Sequence, residues 1–110
     1  MSTRQEKMNE ELAHRAGEFI QSIATKQSLI TVTHADISPD FKNATIFISV
    51  LPESEERAAL GFINRNLHEF RDFLKKKISI HSIPFCTFVI DLGEKNRQRI
   101  DELSREARNQ

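Results

Sequence analysis

Between Asn64 and Lys77 the chain gathers Asn64, Arg65, Asn66, His68 and Arg71 and closes on Lys75, Lys76 and Lys77. Amide, guanidinium and imidazole groups donate hydrogen bonds to phosphate and ribose oxygens, and a lysine run extends such a surface with mobile positive charge. From Gly61 to Pro84 there is an excess of three positive charges, in a chain whose 16 basic and 16 acidic side chains balance. A polyanion is therefore the first ligand class to consider. A helix end explains the same lysines without a ligand, because cations in a last turn are favoured by the helix dipole. Overall neutrality also differs from the strongly basic balance of many nucleic-acid binders, although surface fields depend on distribution as well as totals.

Other chemistries have weaker footing. His34, Asp36 and Ser38 hold the residue types of a hydrolytic site, and His34 and Asp36 would share a strand face. No nucleophile elbow or glycine-rich oxyanion loop accompanies them, so the expectation is a strand histidine and a turn-capping aspartate. His14, His34, His68 and His81 are scattered without paired metal-ligand spacing. Gly17, Gly61 and Gly93 stand alone, so there is no phosphate-binding loop. Cys86 is the one cysteine and lies in an apolar run, which reads as a buried structural thiol. With no Trp or Tyr and most Phe residues on core patterns, recognition by backbone and shape is expected rather than reading of splayed bases. No catalytic residue, metal site, cofactor or small-molecule substrate is expected.

These residues must be positioned by a small set of elements. Met8, Leu12, Ala16, Phe19, Ile20 and Ile23 recur every three or four positions, predicting a helix from about Arg4 to Ala24. Gly17 in its middle suggests close packing against a neighbour. Leu29 to Ile37 and Ala44 to Leu51 read as two strands of an antiparallel hairpin joined by Ser38-Pro39-Asp40-Phe41-Lys42-Asn43. In the first, Ile30, Val32 and His34 alternate against Thr31 and Thr33. Pro52 and Ser54 punctuate the start of a second helical stretch, and Glu53, Glu55 and Glu56 suit its positive end. Leu60, Ile63, Leu67, Phe70 and Leu74 keep to one face, while Phe62 and Phe73 fall off it. Either that helix is buried on a wide face or it kinks, with Asn64-Arg65-Asn66 as the expected break. Phe85 to Ile90 is a third strand behind Pro84, and the charged tail from Gly93 carries only Ile100, Leu103 and Ala107 at helical spacing. The order predicts an α+β fold, a three-stranded sheet with helices on one face.

A chain of 110 residues fits one domain that needs no disulfide or metal staple. Met1 to Glu11 contains no apolar signal segment, no apolar run reaches membrane-spanning length, and one cysteine suits a reducing compartment, so a cytoplasmic protein is expected.

The stretch from Ile37 through Ser38-Pro39-Asp40 to Val50 resembles the hairpin of bacterial ribosome-binding factor A, where a Ser-(Pro or Arg)-Asp turn precedes an Ala-(Lys or Thr)-aliphatic strand. Pro84 to Asp91 resembles that family's Pro-x-Leu-x-Phe-x-x-Asp, with Cys86 in the leucine's place. Arg99-Ile100 and Leu103 follow where the family has a basic-aliphatic pair and a leucine. Arg4, Lys7-Met8, Leu12, Phe19 and Ile20 match its first helix. The likeness covers nearly the whole chain at consistent spacing.

The resemblance implies a type II KH-like fold, α-β-β-α-(kink)-α-β with a mixed sheet, over residues 1–92, followed by a charged helical tail at 93–110. It also implies a non-enzymatic factor, monomeric off the ribosome, that binds 16S rRNA in the 30S subunit and assists late maturation. The implied RNA contacts are Asn66, His68, Arg71, Lys75, Lys76 and Lys77, with Arg65, Arg97, Arg99, Arg4 and Lys7 as further candidates. At the kink the family carries Ala-x-Gly, where this chain has Asn66-Leu67-His68; Ala59-Leu60-Gly61 lies two turns too early. Either the kink survives through Asn66 or the helix runs straighter. His81 stands where family members often have arginine. The alternative is a protein-interaction domain using its sheet edge or the acidic Glu53 to Glu56 end.

Overall fold

The computed structural model describes residues 3–23, 28–80, 82–94, 96 and 97. Helix α1 (Arg4–Ile23) leads into strands β1 (Leu29–Ile37) and β2 (Asn43–Leu51). A single 3-10 turn (Glu53–Glu55) then opens helix α2 (Glu56–Arg65), followed by α3 (Leu67–Lys77) and β3 (Phe85–Ile90). The start of α1 is fixed by a reciprocal cap: Glu6 N–H donates to Thr3 Oγ1 at 3.0 Å and Thr3 N–H to Glu6 Oε2 at 3.3 Å. Its apolar stripe buries Leu12, Ala16, Phe19 and Ile20 against the sheet. Gly17 does not serve the close packing expected of it, since a Cβ built there meets nothing within 4 Å.

The sheet order is β1-β2-β3, with β1 antiparallel and β3 parallel to the central β2. The mixed sheet follows from the connections: a short turn reverses the chain between β1 and β2, whereas the α2–α3 crossover returns it parallel. Ala44, Ile46, Ile48 and Val50 of β2 are all buried, so the helices cover one face. In the hairpin turn, Asp40 Oδ1 accepts from Ser38 Oγ at 2.6 Å and from Lys42 N–H at 3.1 Å. The turn-capping carboxylate is thus Asp40; Asp36 sits exposed on β1 opposite Thr45. Phe41 takes a φ of 61°, a left-handed conformation unusual for a bulky residue.

One expectation for β1 fails informatively. The pairing slips between Val32 and His34, so Thr33 is an unpaired bulge residue. The extra residue changes the parity: Ile30 and Val32 before it and Ala35 and Ile37 after it all face the helices, and His34 turns to the open face. There its ring stacks on Phe47 with centroids 4.1 Å apart.

The helical stretch after β2 breaks at Asn66 (φ −110°, ψ 13°), which resolves the choice between a wide face and a kink. Asn66 Nδ2 donates to the Phe62 carbonyl at 2.8 Å and its own N–H to Ile63 O at 2.9 Å, so both groups are spent on closing α2. The turn costs the core nothing: Ile63 is buried from α2, and Phe70 and Leu74 from α3. Phe70, 1% exposed, meets Phe19 and Phe88 at 5.2 Å each, while Phe73 meets Phe19 from its other side at 5.6 Å. Phe73 therefore leaves the main stripe because it packs on α1.

Candidate nucleic-acid interface

The phase of α3 sorts the predicted contact residues. At about 100° per residue, Phe70 and Leu74 define the buried side. Arg71, Lys75 and His68 then fall together on one flank, at positions i, i+3 and i+7 reading from His68. Lys76 falls on the opposite flank with Glu69, while Asp72 lies on the outward side between the two flanks, next to His68. Lys77 comes round toward the core side, with Nζ 5.8 Å from the Phe73 ring centroid. The lysine triplet is contiguous in sequence and divided in space.

The Arg71 flank borders a cavity of about 170 Å³ between α3 and the approach to β3, lined by Leu67, His68, Arg71, Leu74, Pro84 and Phe85 among others. Its walls are almost wholly apolar, and its charged rim is made by Arg71 and the imidazole of His68. His68 Nε2 lies 3.5 Å from Asp72 Oδ2, with the histidine side chain 82% exposed. Phe85 is 65% exposed at the same mouth. Sequence reasoning passed over this aromatic, although the alternation of β3 supplied the signal: Cys86, Phe88 and Ile90 face in, so Phe85, Thr87 and Val89 face out. Cys86 also lines the cavity, and burial pushes its thiol up to about 11, partly opposed by Arg71. It is a structural thiol, as the sequence suggests.

The remaining candidates lie elsewhere. Asn66 is half-buried and sets the angle between α2 and α3. Arg65 folds back along α2, within 3.5 Å of a Cβ built at Gly61, and lines a separate hollow with Ser28 and Ile30. Arg97 pairs with Glu94, both at described helical positions just past β3. Arg4 stacks over the Phe41 ring at 5.5 Å, at the hairpin-turn end of the molecule. His81, Arg99, Ile100, Leu103 and Ala107 lie outside the described residues.

A second polar cluster ties the open face together. Asp91, 7% exposed, accepts from Thr33 Oγ1 at 2.6 Å and from Glu94 N–H at 3.0 Å. His34 Nδ1 is 3.4 Å from the same carboxylate. The Thr33 hydroxyl, the Glu94 amide and the nearby His34 hold the Asp91 carboxyl below the usual carboxylate range against the opposing effect of burial. The histidine of the hydrolytic triplet thus partners a carboxylate just past β3, which caps the helical turn at 92–94. Among the described residues no group of three or more His, Cys, Asp or Glu side chains could hold a metal ion.

The sequence model of ribosome-binding factor A matches residues 4–104. This chain belongs to the ribosome-binding factor A family. Ribosome-binding factor A of Natranaerobius thermophilus is 28% identical over 103 residues, covering 91% of this chain and 79% of that protein. Its counterpart in Anaeromyxobacter sp. strain K is 32% identical over 89 residues, 74% of this chain and 59% of its own length. Among solved structures, ribosome-binding factor A of Thermus thermophilus aligns with a TM-score of 0.72 at 19% identity, over 80% of this chain and 97% of that one. A homology model of the Thermus thermophilus protein, fitted into a cryo-electron-microscopy map of its complex with the 30S subunit, aligns at 0.66 and 21% identity over 74% of this chain and 88% of that one. At these identities the likeness is one of fold, and the fold is KH-like, with the family's interhelical kink retained at Asn66. No described helix is long and apolar enough to cross a membrane.

Proposed function

We propose that this protein binds 16S rRNA in the assembling 30S subunit and assists its late maturation, as a cytoplasmic factor that carries out no catalysis itself and is monomeric off the ribosome. The observation that carries the reading is the flank of α3, where His68, Arg71 and Lys75 project together beside an apolar cavity. Arg71 and Lys75 contact phosphates, His68 contacts phosphate or ribose, and Phe85 and the cavity wall receive the apolar faces of the RNA. Lys76 and Lys77 add diffuse attraction, Arg65 and Arg97 lie at the margin of the footprint, and Arg99 remains a candidate contact by its charge alone. Asn66 contributes by setting the angle at which α3 meets the RNA. Family membership supports the partner, and the 30S complex of the Thermus thermophilus relative supports the subunit. Co-sedimentation tests it: the protein should travel with free 30S subunits, best with immature ones, and be absent from 70S. Migration away from both, or equal binding to 70S, would overturn the reading.

A further inference from the structure

The segment that follows α3 separates two concavities. Residues 83–86 line the apolar cavity beside Arg71, and Ser79, Ile80 and Ser82 line a larger one, of about 680 Å³, on the far side. The second is closed by Thr3, Arg4 and Gln5 at the start of α1 and by Pro39, Asp40 and Phe41 of the hairpin turn. Its lining is half polar in character, unlike its neighbour's.

The groups there differ in what they have left to offer. Gln5 Nε2 is spent on Ile37 O at 2.7 Å, and Glu6 is spent on the α1 cap. Asp40 is held by Ser38 and by the Lys42 N–H, and those bonds keep its carboxyl below the usual range. Arg4, in contrast, has no carboxylate partner among the described residues. Its guanidinium lies over the Phe41 ring, 5.5 Å from the centroid, and its N–H groups have no hydrogen-bond partner among the described residues. Phe41 reaches that position from a left-handed backbone conformation that a bulky residue adopts at a cost. The hydroxyls of Ser79 and Ser82 are likewise without a hydrogen-bond partner among the described residues. A planar cation fixed by stacking, with two unspent hydroxyls beside it, matches the tetrahedral oxygens of a phosphodiester better than an apolar peptide.

We propose that this concavity is a second phosphate-binding site on the same RNA, so that the strand lying on the α3 flank continues across residues 82–85 and ends on Arg4, Ser79 and Ser82. The inference rests on the α3 reading above.

The test uses the full chain and immature 30S subunits over a salt series, with Arg4→Gln, Ser82→Glu and the double variant Arg71→Gln/Lys75→Gln. Ser82→Glu leaves the Thr3–Glu6 cap of α1 in place and sets a negative charge in the site, so its effect is separate from any loosening of α1; thermal melts of each variant verify this. Arg4→Gln and Ser82→Glu should each weaken binding by roughly three- to tenfold, and Arg4→Gln should lower the salt slope by about one. Weakening by the double variant alone would overturn this site and leave the α3 reading standing. Weakening by Arg4→Gln or Ser82→Glu alone would do the reverse for α3. Loss on whole subunits without loss on a protein-free 16S rRNA fragment would assign the concavity to a ribosomal protein and overturn the phosphate site.

Discussion

Asp91 shows how one side chain can hold three elements. Its carboxylate accepts from the bulge residue of β1 and caps the helical turn at 92–94, while its own N–H donates to Ile48 O at 2.7 Å just past β3. Its folded-state pKa is depressed, so the stabilisation is fully present above the unfolded value of about 4 and is lost as pH falls through the folded one. Asp91→Asn should therefore flatten the acid limb of the stability curve below about pH 4. Thr33→Val, which removes the shortest bond to the carboxylate, should cost about 1–2 kcal/mol at neutral pH by chemical denaturation. Cys86 gives a second test at this scale. With its thiol at about 11, the reactive thiolate is roughly a thousandth of the population at pH 8. Modification by a thiol reagent should be far slower in the native protein than in denaturant, and equal rates would contradict its burial.

At the scale of elements, the kink is the part that would aim the proposed α3 interface. Asn66→Ala removes the bond to Phe62 O and substitutes the best helix former, so α2 and α3 should straighten. Helical circular dichroism should rise slightly while 30S association falls, because the α3 flank is re-aimed relative to Phe85; unchanged association would separate the kink from binding. Much of this framework was legible in the sequence. The stripe of α1, the hairpin, the third strand behind Pro84 and the break at Asn66 all follow from local periodicity and poor helix formers. The bulge was not legible, because threonine suits either face of a strand and the carboxylate that fixes Thr33 lies 58 positions away. The lysines were half legible: their helical phase separates Lys75 from Lys76, but contiguity in sequence favours reading them as one track. Phe85 was obscured by a composition in which Phe19, Phe70 and Phe88 fill the core.

For the molecule as a whole, distribution reconciles neutrality with the proposed RNA binding. Arg71 and Lys75 stand on one flank of α3, while Glu69 stands on the other and Glu53, Glu55 and Glu56 at the start of α2. Binding then depends on a few well-placed cations rather than on net charge, with salt dependence set by the number of phosphates they meet. The sharpest measurement is the salt dependence of binding to immature 30S subunits for wild type, Arg71→Gln/Lys75→Gln and Lys76→Gln. The double variant should bind at least tenfold more weakly and lose about one to two units of slope, with Lys76→Gln close to wild type. Equal losses for both variants, or none for the double variant, would contradict the assignment of the interface to the Arg71 flank of α3.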